Sequence, residues 1–259
     1  GGNISLTTVS GIKLTGNGQS LQYADSGAIA LGTVGSLTGL TTVGGGDAAV
    51  SGTAVTLAQS SVTGNLTVTA TAGDISQSAG TVTVTGAATL SAANGSVSQS
   101  GGTIKAASLA LVAGNGASLT QVSNDVTILA ANVGAGGLQY SDANTFAIGS
   151  AGSLTGITVN GNVAIDGTTV TLGPTQVAGD LAVTARTGSI TQASGTLGVN
   201  GPATLTALSG AVTQTGGSIQ AGSLAVAAKN ASVLDQAGND VGTLAASLSA
   251  ANQAFQFTD

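Results

Sequence analysis

The chain has 259 residues, of which 5% are charged and 2% aromatic, with 42 glycines and no cysteine. Too few large side chains exist for an ordinary globular core, and a 42% apolar content with mean hydropathy +0.42 argues against a disordered polar chain. The acidic residues are all Asp and outnumber Lys and Arg ten to four, giving a net charge of −6; nucleic acid and anionic membrane surfaces are poor partners, and neither a disulfide framework nor a thiolate metal site exists.

The chain opens Gly-Gly-Asn with no basic, apolar leader, and no apolar run is long enough to span a bilayer, so it reads as mature or excised material without membrane insertion. The first marker is Leu21-Gln22-Tyr23-Ala24-Asp25. It recurs as Leu138-Gln139-Tyr140-Ser141-Asp142 and as Phe255-Gln256-Phe257-Thr258-Asp259, each time after 117 residues (138 − 21 and 255 − 138). Gly35 to Gly39 recurs at the same offset as Gly152 to Gly156. Residues 26–142 and 143–259 therefore read as two copies of one unit within a continuous solenoid, and residues 1–25 as the end of a preceding one. A two-residue slip near Asp47 moves the offset to 115, and the second unit recovers it after Asp240.

A shorter clock runs inside each unit. Ile75, Val97 and Leu119 keep one interval (97 − 75 and 119 − 97, both 22), which Val82, Ile104 and Val126 share, as do Ile190, Val212 and Leu234. The stretch from Leu21 to Ile75 is less regular and predicts two long coils or three short ones, hence five or six per unit and about a dozen in all. Each coil alternates with period two between breaks: Leu66, Val68 and Ala70 inward, then Ile75, then Val82 and Val84, with corners at Gly73, Gly80 and Gly86. Val241 to Asn252 is the one Ala/Leu-rich stretch, and its alignment with Val126 onward makes it strand. The fold class expected is all-β: a parallel β-helix of roughly 20–22 residues per coil, with three short strands in a triangular section.

The phrase running from Gly95 to Leu109 and from Gly210 to Leu224, G-[DS]-[IV]-[ST]-Q-x-x-G-G-T-[IV]-x-A-x-x-L in its general form, resembles the repeats of filamentous-haemagglutinin-like exoproteins, large Gram-negative adhesins many of which leave by two-partner secretion. The resemblance implies a right-handed helix and a secreted or cell-surface location. No amino-terminal secretion domain of that family is recognisable here.

Candidate sites divide into four groups. Gln77, Gln99, Gln121, Gln192, Gln214 and Gln236 each follow an apolar marker by two residues; they read as a stacked interior amide ladder, with a ligand-binding stripe as the alternative. Tyr23, Tyr140, Phe255 and Phe257 mark the long period and read as fillers of a wider coil, with subunit junction or glycan contact as the alternatives. The threonine rows at 67–71 and 81–85 suggest an ice plane, but their second-unit counterparts break the pattern and leave ordinary β-propensity. The Asp residues show no calcium-loop or paired-carboxylate arrangement, and with no His, no Glu and one Arg the chain lacks acid–base equipment. The expectation is a non-enzymatic protein without cofactor or metal: a stiff stalk in an extracellular adhesin or matrix protein, with a homopolymeric filament and a glycan- or surface-binding module as alternatives. Expected partners are repeat units end to end and a host-cell, glycan or matrix contact.

Overall fold

The computed structural model describes residues 12, 13 and 16–259; the other residues of the expected 1–25 tail lie outside the described set. Two short hairpins apart, successive strands turn through three faces and pair in parallel with strands one turn before and after. Leu66–Ala70 lies on face one, Ile75–Gln77 on face two, and the first half of Thr81–Ala92 on face three, after which the same strand rounds the corner and resumes face one. The result is a β-solenoid of about ten turns rather than a dozen. At a strand spacing of about 4.8 Å it is a rod on the order of 50 Å long.

Alternation decides which side chains fill it. Leu66, Val68 and Ala70 point inward and are buried, while Thr67 stays exposed. Ile75, Val82 and Val84 join the same continuous core. Of the expected corners, Gly80 has φ +75°, a conformation that disfavours any residue with a Cβ. At Gly86 the strand continues with a register shift between Val84 and Ala87, and a Cβ there would lie 2.5 Å from Asn65 Oδ1 in the previous turn. Leu244–Leu248 is strand, as its alignment with the earlier unit predicts.

The longer coil interval is only partly kept. Ile75 stacks on Val97 and Ile190 on Val212, but Val97 stacks on Ala117 and Gln99 on Leu119. That turn is shorter by two (117 − 97 = 20), so Leu119 stands where a glutamine was expected, and Val126 pairs with Ala106 instead of Ile104. Leu234 is displaced in the same way, because Thr213 pairs with Val233. Turns shorten further where Ala48 pairs with Leu66 and Val163 with Leu181 (66 − 48 and 181 − 163, both 18).

The irregular opening of each unit hides a hairpin. Thr33–Val34 and Leu37–Thr38 pair antiparallel, as do Ser150–Ala151 and Leu154–Thr155. Gly35 and Gly152 supply φ of +59° and +56° at the first loop position, and Gly-Ser is a two-residue hairpin loop of type II′ character.

Following the pairing settles how far one unit winds. From Leu21 the stack on face one runs through Ala48, Leu66, Ala88 and Leu109 to Leu129, five turns. Leu138, the counterpart of Leu21, lies one strand farther on, stacked on Ala117 of face two. From Leu138 five more turns reach Leu244, and Phe255 again lies one strand farther, on face three beside Ser232. One 117-residue unit is thus five and one-third turns. Equivalent residues of successive units look out of different faces.

Candidate functional site

Four kinds of position stand out: two buried amide ladders, the aromatic corners, the Asp acceptors and one ion-paired groove. The ladders occupy equivalent places in the two units. Gln99 Nε2 donates to Gln77 Oε1 at 2.9 Å and to Asn124 Oδ1 at 2.9 Å, while Asn124 Nδ2 returns a bond to Gln99 Oε1 at 2.8 Å. Gln77 closes one end by donating to the Gly80 and Thr103 carbonyls, and Asn124 closes the other by accepting from the Ile104 N–H at 2.9 Å. In the second unit Gln192, Gln214 and Asn239 repeat the arrangement, with Gln214 Nε2 2.8 Å from both Gln192 Oε1 and Asn239 Oδ1.

Gln121 and Gln236 are not rungs. Both are half-buried, because the shortened turn carries them past the corner and brings Asn124 and Asn239 inward in their place. The shorter asparagine fits because it also accepts a backbone N–H from the previous turn. The four ladder glutamines are at most 5% exposed, so they offer no stripe to a ligand. Their chemistry is the mutual satisfaction of amides that would be costly to bury alone.

The aromatic corners are interior as well. Tyr140 is 1% exposed; its ring meets Phe146 edge-on at a centroid distance of 5.3 Å, and its hydroxyl donates to Asp142 Oδ2 at 2.6 Å. Gly167 in the next turn makes room, since a Cβ there would lie 2.7 Å from the Phe146 ring. Tyr23 is buried and donates to Asp25 Oδ2 at 2.8 Å. Phe255 and Phe257 lie half-buried against the core. The glycan alternative fails for Tyr140 and Tyr23, which present no open ring face.

Several of the Asp residues act at corners. Asp142 accepts from the Val126 N–H at 2.9 Å and the Asn144 N–H at 2.8 Å, Asp25 from Gly27, Asp47 from Asn65, Asp74 from Ser96 and Asp259 from Val241. Except at Asp25, an N–H of a neighbouring turn is satisfied each time, a task for which a short carboxylate or amide has the right reach. Asn65 and Asn162 do the same for Ala87 and Asp180. This role escapes a sequence reading that searches the Asp residues for metal and acid–base patterns. Among the described residues no group of three or more acidic side chains is placed to hold a metal ion.

Environment separates two copies of one motif. The Gly27 N–H and the Tyr23 hydroxyl hold Asp25 below its ordinary 3.8, whereas burial pushes Asp142 up despite its three donors, with nearby Asp125 adding to the rise. Burial, then the Asp142 charge, pushes the Tyr140 hydroxyl up too. A carboxyl with a raised folded pKa holds its proton in the folded state over a range where the unfolded chain has lost it. Its contribution is therefore complete below pH 3.8 and declines as pH rises through the folded value. The difference in melting temperature between the parent chain and Asp142→Asn is expected to narrow from pH 3 toward neutrality in calorimetry. A difference that widens would show the carboxylate to be the favoured buried form.

The groove beside this corner is lined by Gln139, Ala164, Asp166, Ala182, Arg186 and Leu208. Arg186 pairs with Asp166 at 2.7 Å and also donates to the Asp142 carbonyl. With both side chains about one-third exposed, the pair contributes under about 1 kcal/mol. Its geometry braces the corner across two turns.

A family model described as repeats of unknown function (DUF5649) matches residues 45–98 and 160–213. The two matches are offset by 115 residues, and each ends one residue before a central ladder glutamine, Gln99 or Gln214. The chain is a repeat β-helix protein. Searches of curated proteins and of solved structures return no match. No helix among the described residues is long and apolar enough to cross a membrane.

Proposed function

We propose that this repeat β-helix is the stalk of an extracellular bacterial adhesin or matrix protein, a stiff spacer that holds a binding region away from the cell and performs no catalysis itself. The observation that carries the proposal is the unbroken parallel pairing from Ile12 to Phe257, in which every turn is hydrogen-bonded to the turns beside it. A pull along the rod loads many backbone ladders together, and adding a unit lengthens it without redesign. The polar side chains that sequence patterns single out are spent on holding turns together. The adhesin-like repeat phrase and the low charge support the same reading.

Immunogold labelling of intact source cells with an antibody against this chain tests it. Gold standing off from the envelope is expected, whereas label confined to the cell interior would overturn the proposal.

A further inference from the structure

The sequence contains five Asn-Gly pairs, beginning at Asn17, Asn94, Asn115, Asn160 and Asn200. Such a pair can cyclise without an enzyme: the glycine backbone nitrogen attacks the asparagine Cγ, and glycine, lacking a Cβ, leaves the approach open. The nitrogen must lose its proton and turn toward the side chain. An N–H held in a ladder or a turn does neither until that bond opens.

The fold holds these nitrogens unequally. Gly18 donates to the Val43 carbonyl at 3.2 Å, Gly95 to the Ala92 carbonyl at 3.0 Å and Gly201 to the Gly179 carbonyl at 3.0 Å, while Gly116 lies in the strand Gly116–Leu119. Asn94 is held a second time, its Nδ2 donating to the Thr71 carbonyl at 3.0 Å. Asn200 lies within the long strand Thr196–Ala207. Asn160 is different. It stands exposed at the corner between Ile157–Val159 and Val163–Gly167, and the Gly161 N–H has no hydrogen-bond partner among the described residues. The corner itself is ordered: the Asn160 N–H donates to the Val133 carbonyl at 3.0 Å, and the Gly161 carbonyl accepts from the Gly179 N–H at 3.1 Å. The nitrogen between those two bonds is left unbound.

We propose that Asn160 is a spontaneous modification site, converted with time to aspartate and isoaspartate. A base in the solvent takes the Gly161 amide proton, the nitrogen bonds to Asn160 Cγ, and the Cγ–Nδ2 bond breaks as the amide leaves with a proton as ammonia. Water then opens the cyclic imide at either of its C–N bonds. Breaking the bond to Cγ gives aspartate, and breaking the bond to the main-chain carbonyl carbon gives isoaspartate. Water is consumed, ammonia is released, and nothing is oxidised or reduced. Either product adds one negative charge to a chain that already carries −6. Isoaspartate also adds a methylene to the backbone between the bonds to Val133 and Gly179, so it strains the pairing of this corner with the turns on both sides.

Folded chain and chain in concentrated urea are incubated side by side in mildly alkaline buffer, and peptide mapping by mass spectrometry follows the gain of about 1 Da at each pair. In urea, where no fold distinguishes them, Asn160, Asn94 and Asn200 are expected to react at similar rates. In the folded chain Asn160 is expected to react about tenfold faster than Asn94 and Asn200, whose glycine nitrogens must first be released. Asn160→Gln, at an exposed position, is expected to keep the parent melting temperature and lose the signal. Native-state amide exchange reads the premise directly: Gly161, Gly95 and Gly201 all follow asparagine, and Gly161 is expected to exchange fastest. Equal folded-state rates at the three pairs, or a folded Asn160 that stays intact while the urea sample reacts, would overturn the proposal, as would a Gly161 amide as protected as the other two.

Discussion

Tyr140→Ala is expected to destabilise the chain by about 3–5 kcal/mol, the range for truncating a large buried aromatic. It removes a ring that is 1% exposed and packed edge-on against Phe146, and it takes from Asp142 one of three donors. Tyr140→Phe keeps the ring and loses only the hydroxyl bond, for a cost of about 1–1.5 kcal/mol. Denaturant melts of the two variants separate packing from hydrogen bonding. A Tyr140→Ala chain as stable as the parent, but deficient in binding a glycan that the parent binds, would return the residue to the surface role its sequence position also suggested.

Gln99→Leu is the second large effect. The side chains are similar in volume, but leucine leaves Gln77 Oε1 without its donor and Asn124 Nδ2 without its short partner. The orphaned oxygen costs about 1–3 kcal/mol, while Asn124 Nδ2 keeps its longer contacts to the Leu119 and Ser141 carbonyls at 3.4 and 3.3 Å. Replacing Gln77, Gln99 and Asn124 all by leucine removes the orphaned oxygen along with its bond and leaves unpaired the Ile104 N–H that Asn124 Oδ1 accepts. The triple variant is therefore expected to lose less than the sum of the single losses. Strict additivity in equilibrium denaturation would contradict the account of the ladder as one network. Gln121→Leu, at a half-buried position outside the ladder, is expected to change stability by no more than about 0.5 kcal/mol.

The sequence carries much of this because burial in a solenoid is written in period two. Leu66, Val68, Ala70, Ile75, Val82 and Val84 all face inward as their alternation predicts. Turn length is harder to read, because a corner can gain or lose two residues while the apolar pattern survives. Leu119 keeps the long interval from Val97 yet sits opposite Gln99, two residues from its expected partner. The same slip misplaces Gln121. Asn124 escapes notice because asparagine at a corner looks like an ordinary turn residue until its distance from Gln99 is known. The hairpins have a local signal, Gly-Ser between Val34 and Leu37 and between Ala151 and Leu154, obscured by the assumption that every strand belongs to a coil. The one-third-turn remainder needs the register of each turn, which no single motif contains.

That remainder also bears on function. A unit of whole turns would place every hairpin and every corner motif along one side of a stalk. With five and one-third turns they are distributed over all three faces, so a rod built from such units is clamped from each side in turn and has no preferred direction of bending.

Spin-label distance measurement between Gln139→Cys and Gln256→Cys tests this winding most directly. Both side chains are exposed, and they are equivalent positions in the long period (256 − 139 = 117). Five and one-third turns separate them by about 26 Å along the axis and place them on different faces, at least about 10 Å apart sideways at the usual sheet spacing, for a total of at least about 28 Å. The predicted result is a distance distribution centred at about 28 Å or beyond, the combined axial and sideways separation. One centred at about 24 Å, the rise of five whole turns on a single face, would contradict the account.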